Sequence, residues 1–492
     1  MLKKLLERAT GGLELEINRF FEPSMFYRLL IDPFSVWCDY HAPKSEAVEE
    51  ISRYEQIKMD REKKFEEKWI KENYPEAVKI EPEQEIEALI NTLEAMVEGA
   101  PAIHGAQLWL LRDEMYGQAD LLVLSHGKSD LGTYHYKVKE IERSKITMVE
   151  SHIYQGAIYN RMLGAIQGYL PESYYVVTPS RETGICYEDY SGQPNKLLAE
   201  WRRIRDGEYF PDIQRLEYRL SPWRVYANKL ILERMDLTLL SDVNAAMRHR
   251  LKVFLNVERI EDLYCMSLEE LRARLKDEIG EKIYYSVQAY RENKPILQPG
   301  QSIDIPRGRK NIHFGFETSD DLHETEPPHT FLIGLWDEEK GEYVYFLGEG
   351  EKDEERIYRE FLDYVGDPEG CCLFHWGDFE ITVLKKVADK YPILTERLNA
   401  LMGSCISEQA VVKSKVHLPV SYHSIRNVAS LFGSEWRRED VDAMEIMVLY
   451  WEWLEGGDWD KIQKVLEYNE DDVRAMARVC EKLRELAVAD SG

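Results

Sequence analysis

Apolar residues in the first half of the chain change their spacing twice, and each change marks a different kind of element. Within residues 47–98, Ile86, Leu89, Ile90, Leu93, Met96 and Val97 recur at intervals of three and four, the stripe of a helix with one buried face. Two helices are expected there. After Pro101 short β-rich segments take over at 107–111, 120–124 and 134–141, separated by Gly, Asp and Ser turn signals. A helix is expected from about Met148 to Ile166 and a strand from Tyr174 to Thr178. The order helix, three strands, helix, strand is that of an α/β unit with a central sheet.

Residues from Asp236 to about Lys294 read as all helix, rich in Leu, Arg and Glu and bounded by Pro295 and Pro299. Beyond Ile303 a second α/β unit is expected. Its strands fall at 312–317 and 372–375, with a hairpin at 330–347 turning on Glu339-Lys340-Gly341, a helix after Lys352 and a last helix from about Trp459 to Leu486. A chain of 492 residues is too long for one core. The expected division is 1–225, 236–298 and 305–488.

Composition narrows the class. Apolar residues are 44% and charged residues 31% of the chain, a mixture that folds and buries a core. The first residues lack a signal-type apolar run, and no stretch approaches the ~20 apolar residues of a membrane span, so a cytoplasmic protein without membrane partners is expected. Seven scattered cysteines form no CxxC pair and no disulfide framework. The net charge of −27 argues against a broad basic surface, so a nucleic-acid substrate would need a local groove or metal ions. Two basic clusters, Arg202-Arg203-Ile204-Arg205 and Pro306-Arg307-Gly308-Arg309-Lys310, read first as solvated faces.

The chemistry concentrates in Gly117-Gln118-Ala119-Asp120-Leu121-Leu122-Val123 and, after a turn, Tyr134-His135-Tyr136-Lys137-Val138-Lys139-Glu140-Ile141-Glu142. Side chains alternate along a strand, so Glu140 and Glu142 share a face that Asp120, on the neighbouring strand, can meet. Carboxylates gathered in this way suit Mg²⁺ or Mn²⁺, hard ions that polarise a phosphodiester and acidify an attacking water. One helix later Gln155 and Tyr159 lie four residues apart, on one face.

These residues resemble the PD-(D/E)xK signature of RecB-like nucleases with its helical QxxxY element. The segment opening at Asp32-Pro33-Phe34 and the run Tyr159-Asn160-Arg161-Met162-Leu163-Gly164 resemble the same family. The resemblance implies a restriction-endonuclease-like N-terminal domain that hydrolyses DNA, with Glu66 on the early helix joining Asp120 and Glu140 at the metal. It also implies a protein partner such as a helicase or a recombination or defence factor. One position departs from the pattern, because Glu142 stands where the family has its lysine. Some enzymes of this fold use an ExE arrangement, so the substitution leaves cleavage or its loss open. Related nucleases carry four cysteines for an iron–sulfur cluster; only Cys38 and Cys186 fall in this domain, so no cluster is expected.

Residues 239–244, 260–271 and 278–282 resemble paired helix-hairpin-helix motifs. Asp242 and Asn244 replace the first hairpin's glycines and only Gly280 remains in the second, so a structural spacer is expected more than a DNA clamp. The last domain resembles the RNase H-like, DnaQ-type exonucleases. Glu317 matches the second acid of their DxE, Gly315 replaces the first, Glu380 matches the next motif, Ser407 replaces a further acid, and Tyr468 and Asp472 match the last. A glycine cannot hold a metal, so this second site is expected to be degenerate. Two readings stay open: a metal-dependent nuclease acting through the N-terminal domain, or a pseudo-nuclease that binds nucleic acid or a partner as a scaffold.

Overall fold

The computed structural model describes residues 1–48, 51–81, 84–143, 150–213, 222–298, 300, 302–319 and 327–489. The chain divides into two compact units, one of residues 1–51 and 56–227, the other of 52–55 and 228–492. Residues 236–298 therefore belong to the same unit as the C-terminal strands and helices. No helix among the described residues is long and apolar enough to cross a membrane.

In the first unit the elements run α1 (Leu2–Thr10), α2 (Met25–Ile31), α3 (Pro33–His41), α4 (Arg53–Asn73), β1 (Val78–Lys79), α5 (Glu85–Glu98), β2 (Ala102–Leu110), β3 (Met115–Ser129) and β4 (Gly132–Ile141). They continue with α6 (Glu150–Gln167), β5 (Ser173–Thr178), β6 (Arg181–Cys186), α7 (Tyr187–Tyr190) and α8 (Gly192–Arg205). The strands form one mixed sheet in chain order, β1 to β6. β4 pairs antiparallel with β3 and parallel with β5, the parallel pairing made possible by the crossover through α6. The larger core lies on the sheet face that carries Leu122, Tyr136 and Val138, under α1, α5, α6 and α8. A smaller cluster of Ala102, Leu121, Ile141 and Val177 lies on the other face, with Ile70, Phe65 and Trp69 of α4.

β3 is longer than the run 120–124 because its polar tail keeps pairing with β4 as far as Ser129. β1 and β6 were not expected: each lies at a sheet edge where tertiary pairing creates it. Among the described residues α6 begins at Glu150; Met148 and Pro299 lie outside them. In the Arg202 cluster, Arg202 and Arg205 both pair with Glu114. Their charge is neutralised within the fold.

The second unit runs in the order α9 (Arg224–Glu233), α10 (Ala245–Leu255), α11 (Leu268–Leu275), α12 (Asp277–Glu292), β7 (Ile296–Leu297), β8 (Asn311–Thr318), β9 (Thr330–Asp337) and β10 (Glu342–Leu347). Then come α13 (Glu354–Val365), β11 (Cys372–His375), α14 (Phe379–Lys390), α15 (Thr395–Met402), β12 (Cys405–Ser407), α16 (Glu408–Lys415), β13 (Val416–His417), α17 (Ile425–Ser430), α18 (Ala443–Gly456) and α19 (Trp459–Ala489). Five strands form a sheet in the order β10-β9-β8-β11-β12, antiparallel through β8 and parallel beyond it. Ile312, Phe314 and Phe316 pack under α13, α14 and α15. By alternation His313, Gly315 and Glu317 face the opposite side, where α16, α17 and α19 supply Val412, Val428, Val473 and Val479.

In the helical segment 236–298 the positions that correspond to hairpin glycines serve packing within the unit. Asp242 is turned inward, 2.7 Å from Lys282 Nζ, and accepts a hydrogen bond from Ser286 Oγ at 2.6 Å, with His417 beside them. Gly280 lies inside α12, where an added Cβ would come within 2.4 Å of the α11 backbone at Leu271 and Arg272. Its purpose is helix-to-helix approach. Gly280→Ala is expected to destabilise the protein by about 1–3 kcal/mol, as overpacking a close backbone contact does. Urea unfolding of the two proteins measures the difference, and equal midpoints would show that the contact yields freely.

Candidate functional site

β3 and β4 bring the first set of acids together. The last register pair places Leu121 opposite Lys139, so Asp120 stands opposite Glu140 on the face toward α6. Asp120 Oδ2 accepts the Ile141 N–H at 2.7 Å, which ties the carboxylate to the neighbouring strand. Glu140 is fully buried. One of its oxygens accepts Gln155 Nε2 at 2.8 Å, while Oε1 has no hydrogen-bond partner.

A cleft of about 620 Å³ opens beside Asp120, lined by Glu62, Glu66, His104, Gln118, Asp120, Glu142 and Gln155 among others, with Glu140 buried behind it. Glu66, from α4, pairs with His104 Nε2 at 3.0 Å and bears electrostatically on Asp120. Glu142 lies against His152 Nδ1 of α6. Burial, and then the nearby carboxylates, push the Asp120 and Glu140 carboxyls well above their ordinary range. Glu62 is raised by burial and by Glu142. Acids that disfavour one another's charge at such close quarters need protons or a cation.

Tyr159 does not reach the cleft. It is buried, and its hydroxyl accepts the Gln118 backbone N–H beneath β3. An added Cβ at Gly117 would come within 2.9 Å of that hydroxyl, so the glycine lets the strand settle onto the tyrosine. Tyr159 therefore lies under the sheet while Gln155, one turn earlier, lines the cleft, because α6 packs this part of its face against β3. Lys139, adjacent to Glu140, faces the other way and hydrogen-bonds Glu182 at 2.7 Å. It cannot stand in for the lysine that Glu142 displaces. His152 and His104 were missed by sequence reasoning. His152 had a signal, since it sits one helical turn before Gln155 on the same face; His104 reaches Glu66 only through the tertiary fold.

The second set of acids lies across β8, α14 and α19. Glu317, Glu380 and Asp472 line a cleft of about 550 Å³ with Gly315, Trp376, Phe379, Tyr468 and Asn469. Asn469 Nδ2 donates to Glu317 at 2.9 Å, and Trp436 Nε1 donates to Asp472 at 2.6 Å. Glu380 Oε2 is buried without a hydrogen-bond partner. Burial, despite the Asn469 bond, pushes Glu317 up to about 8, and burial pushes Asp472 up to about 6. Tyr468 is buried beside Asp472, with the Arg426 guanidinium 5.0 Å over its ring. At Gly315 a Cβ would meet Val473 and Asn469 at 3.6 and 3.8 Å, ordinary contacts, so the position accepts a Cβ without a clash.

Residues 312–484 match the RNase_H superfamily. The match runs from β8 into α19 and includes Glu317, Glu380 and Asp472. The fold is therefore mixed α/β with an RNase H-like C-terminal domain, a type associated with nucleic-acid binding, nuclease-type hydrolysis and divalent metals. Among solved structures, the chain is similar to the family B DNA polymerase from the hyperthermophilic archaeon Pyrobaculum calidifontis, at 18% identity and a TM-score of 0.29. The likeness covers 37% of this chain and 25% of the polymerase, so only about a quarter of that protein is spanned. No curated protein matches the chain.

The raised carboxyls make stability depend on pH. The folded protein holds the Glu317 proton up to about pH 8, whereas the unfolded chain releases it near 4.5. Between those values the native state binds more protons, so stability falls as pH rises through the window. Chelator-treated protein is expected to show this slope in urea unfolding, and Glu317→Gln to flatten it. An unchanged slope in the variant would assign the dependence to other groups.

Proposed function

We propose that the N-terminal unit hydrolyses nucleic-acid phosphodiesters, DNA in the first instance, with Mg²⁺ or Mn²⁺ held by Asp120, Glu140 and Glu66. The observation that carries this is the buried Glu140 oxygen left without a hydrogen-bond partner, opposite Asp120, which itself lines an acidic cleft. A buried charge is retained only when something compensates it, and a divalent cation suits an all-oxygen set. When bound, such an ion supplies Lewis acidity toward a phosphoryl oxygen and lowers the pKa of water.

The chain's own residues divide the remaining work. Gln155 orients the Glu140 carboxylate through its other oxygen, and the Ile141 N–H fixes Asp120. Glu142, exposed to the cleft and paired with His152, takes a proton from water at its carboxylate, the task that the lysine-free motif leaves to it. Lys63 and Lys79 stand at the rim among the acids. The surplus of carboxylates there repels a phosphodiester unless cations are present, which makes cleavage metal-dependent in binding as well as in chemistry.

The C-terminal cleft keeps three acids and lacks the one that Gly315 cannot supply. It holds one ion weakly and engages a strand without cutting it efficiently. The scaffold reading thus applies to this second site.

Turnover of single- and double-stranded DNA and RNA with Mg²⁺ or Mn²⁺ tests the assignment. Asp120→Asn is expected to lower the rate by on the order of 10²–10³-fold, the several kcal/mol that a Lewis-acid metal provides, while Glu317→Gln leaves it nearly unchanged. Equal activity of Asp120→Asn and the parent protein would sink the proposal. In an Asp120→Asn background, Gly315→Asp is expected to tighten Mn²⁺ binding by about tenfold or more, because affinity rises with the number of charged ligands. Isothermal titration reads this change.

A further inference from the structure

Behind the acidic cleft of the second unit, the face of β8 that carries Glu317 also carries His313, and the helix that carries Asp472 also carries Cys480. His313, Glu408 and Cys480 are buried, at 0%, 2% and 0% exposure, and their ligand atoms all lie within 4.8 Å of one another. They come from three elements, β8, α16 and α19. A histidine, a carboxylate and a thiol have little reason to converge in an apolar core by chance, because each costs free energy to bury unless partnered.

Their hydrogen bonds give the cluster a direction. His313 Nε2 lies 2.8 Å from Glu338 Oε1, and Arg484 braces the same carboxylate at 3.2 Å. A carboxylate accepting the Nε2 proton leaves Nδ1 as the coordinating nitrogen, the arrangement that orients metal-bound histidines. Nδ1 faces Glu408 Oε1 at 2.6 Å. The second Glu408 oxygen, Oε2, is buried with no hydrogen-bond partner. The His313 ring is held flat against Phe374, centroids 4.8 Å apart, so it cannot turn away.

We propose that His313 Nδ1, Cys480 Sγ and the Glu408 carboxylate form a zinc site that pins β8 to α16 and α19 beneath the acidic cleft. A nitrogen, a thiolate and a carboxylate are a borderline-soft set that favours zinc over Mg²⁺ or Mn²⁺; they supply three ligands, and the burial of all three shields the remaining position from bulk solvent. On binding, the Cys480 thiol and the hydrogen bond between Nδ1 and Glu408 give up their protons to the solvent, and the Nε2 proton stays with Glu338. The ion is structural. It does not depend on the reading of the N-terminal unit as a nuclease.

Full-length protein, stripped by chelator and reconstituted with zinc alone, is expected to retain about one equivalent through gel filtration and to unfold at a higher temperature than the stripped form. Replacement with Co²⁺ is expected to give a thiolate-to-cobalt charge-transfer band. Cys480→Ser and His313→Gln should each lose the band and the retained zinc, while Cys405→Ser, Asp120→Asn and Glu317→Gln keep both. Circular dichroism of each variant shows whether it has folded, and two variants at different corners of the cluster guard against one failing to do so. Folded parent protein that retains no zinc, or zinc and a cobalt band that survive Cys480→Ser, would overturn the site.

Discussion

Carboxylates buried within reach of one another set the terms for both halves of this chain. Asp120 and Glu140 face each other across two strands, and Glu317, Glu380 and Asp472 meet between a strand and two helices. In each group burial and mutual repulsion push carboxyls upward, and in each a buried oxygen lacks a hydrogen-bond partner. Burying carboxyls so close together favours their protonated forms unless a cation compensates them.

The supporting structure is economical. In the first unit one helix, α6, both orients Glu140 through Gln155 and seats β3 on Tyr159, while its His152 meets Glu142. The same sheet points its lysine, Lys139, to the opposite face. The lysines that do line the acidic cleft, Lys63 and Lys79, come from other parts of the chain. In the second unit the alternation along β8 separates Ile312, Phe314 and Phe316, which pack a core, from His313, Gly315 and Glu317, which face α19. One strand thus contributes to a core, a cleft and a buried polar cluster.

The net charge of −27 acquires a local meaning in this setting. Arg202 and Arg205, the cations that the sequence offers most plainly to a phosphate backbone, are paired within the fold. Asp242, in the segment that resembles a DNA-binding hairpin, is consumed by a buried network with Lys282, Ser286 and His417.

Much of this was legible beforehand, for reasons that differ by element. Side-chain alternation alone put Glu140 and Glu142 on one face and Asp120 within reach, and the apolar periodicity of α5 announced its buried side, because local spacing is set directly by backbone geometry. The edge strands β1 and β6 gave no such signal, since pairing with a neighbour defines them. Nor could spacing show that Tyr159 lies under the sheet, that Gly280 admits a neighbouring helix, or that His104 meets Glu66. Residues far apart in sequence, such as His313, Glu408 and Cys480, acquire a common environment only when strands and helices pack. Sequence periodicity determined which side chains share a face; tertiary packing decided what each face meets, because contact across distant segments is settled by the fold and not by local spacing.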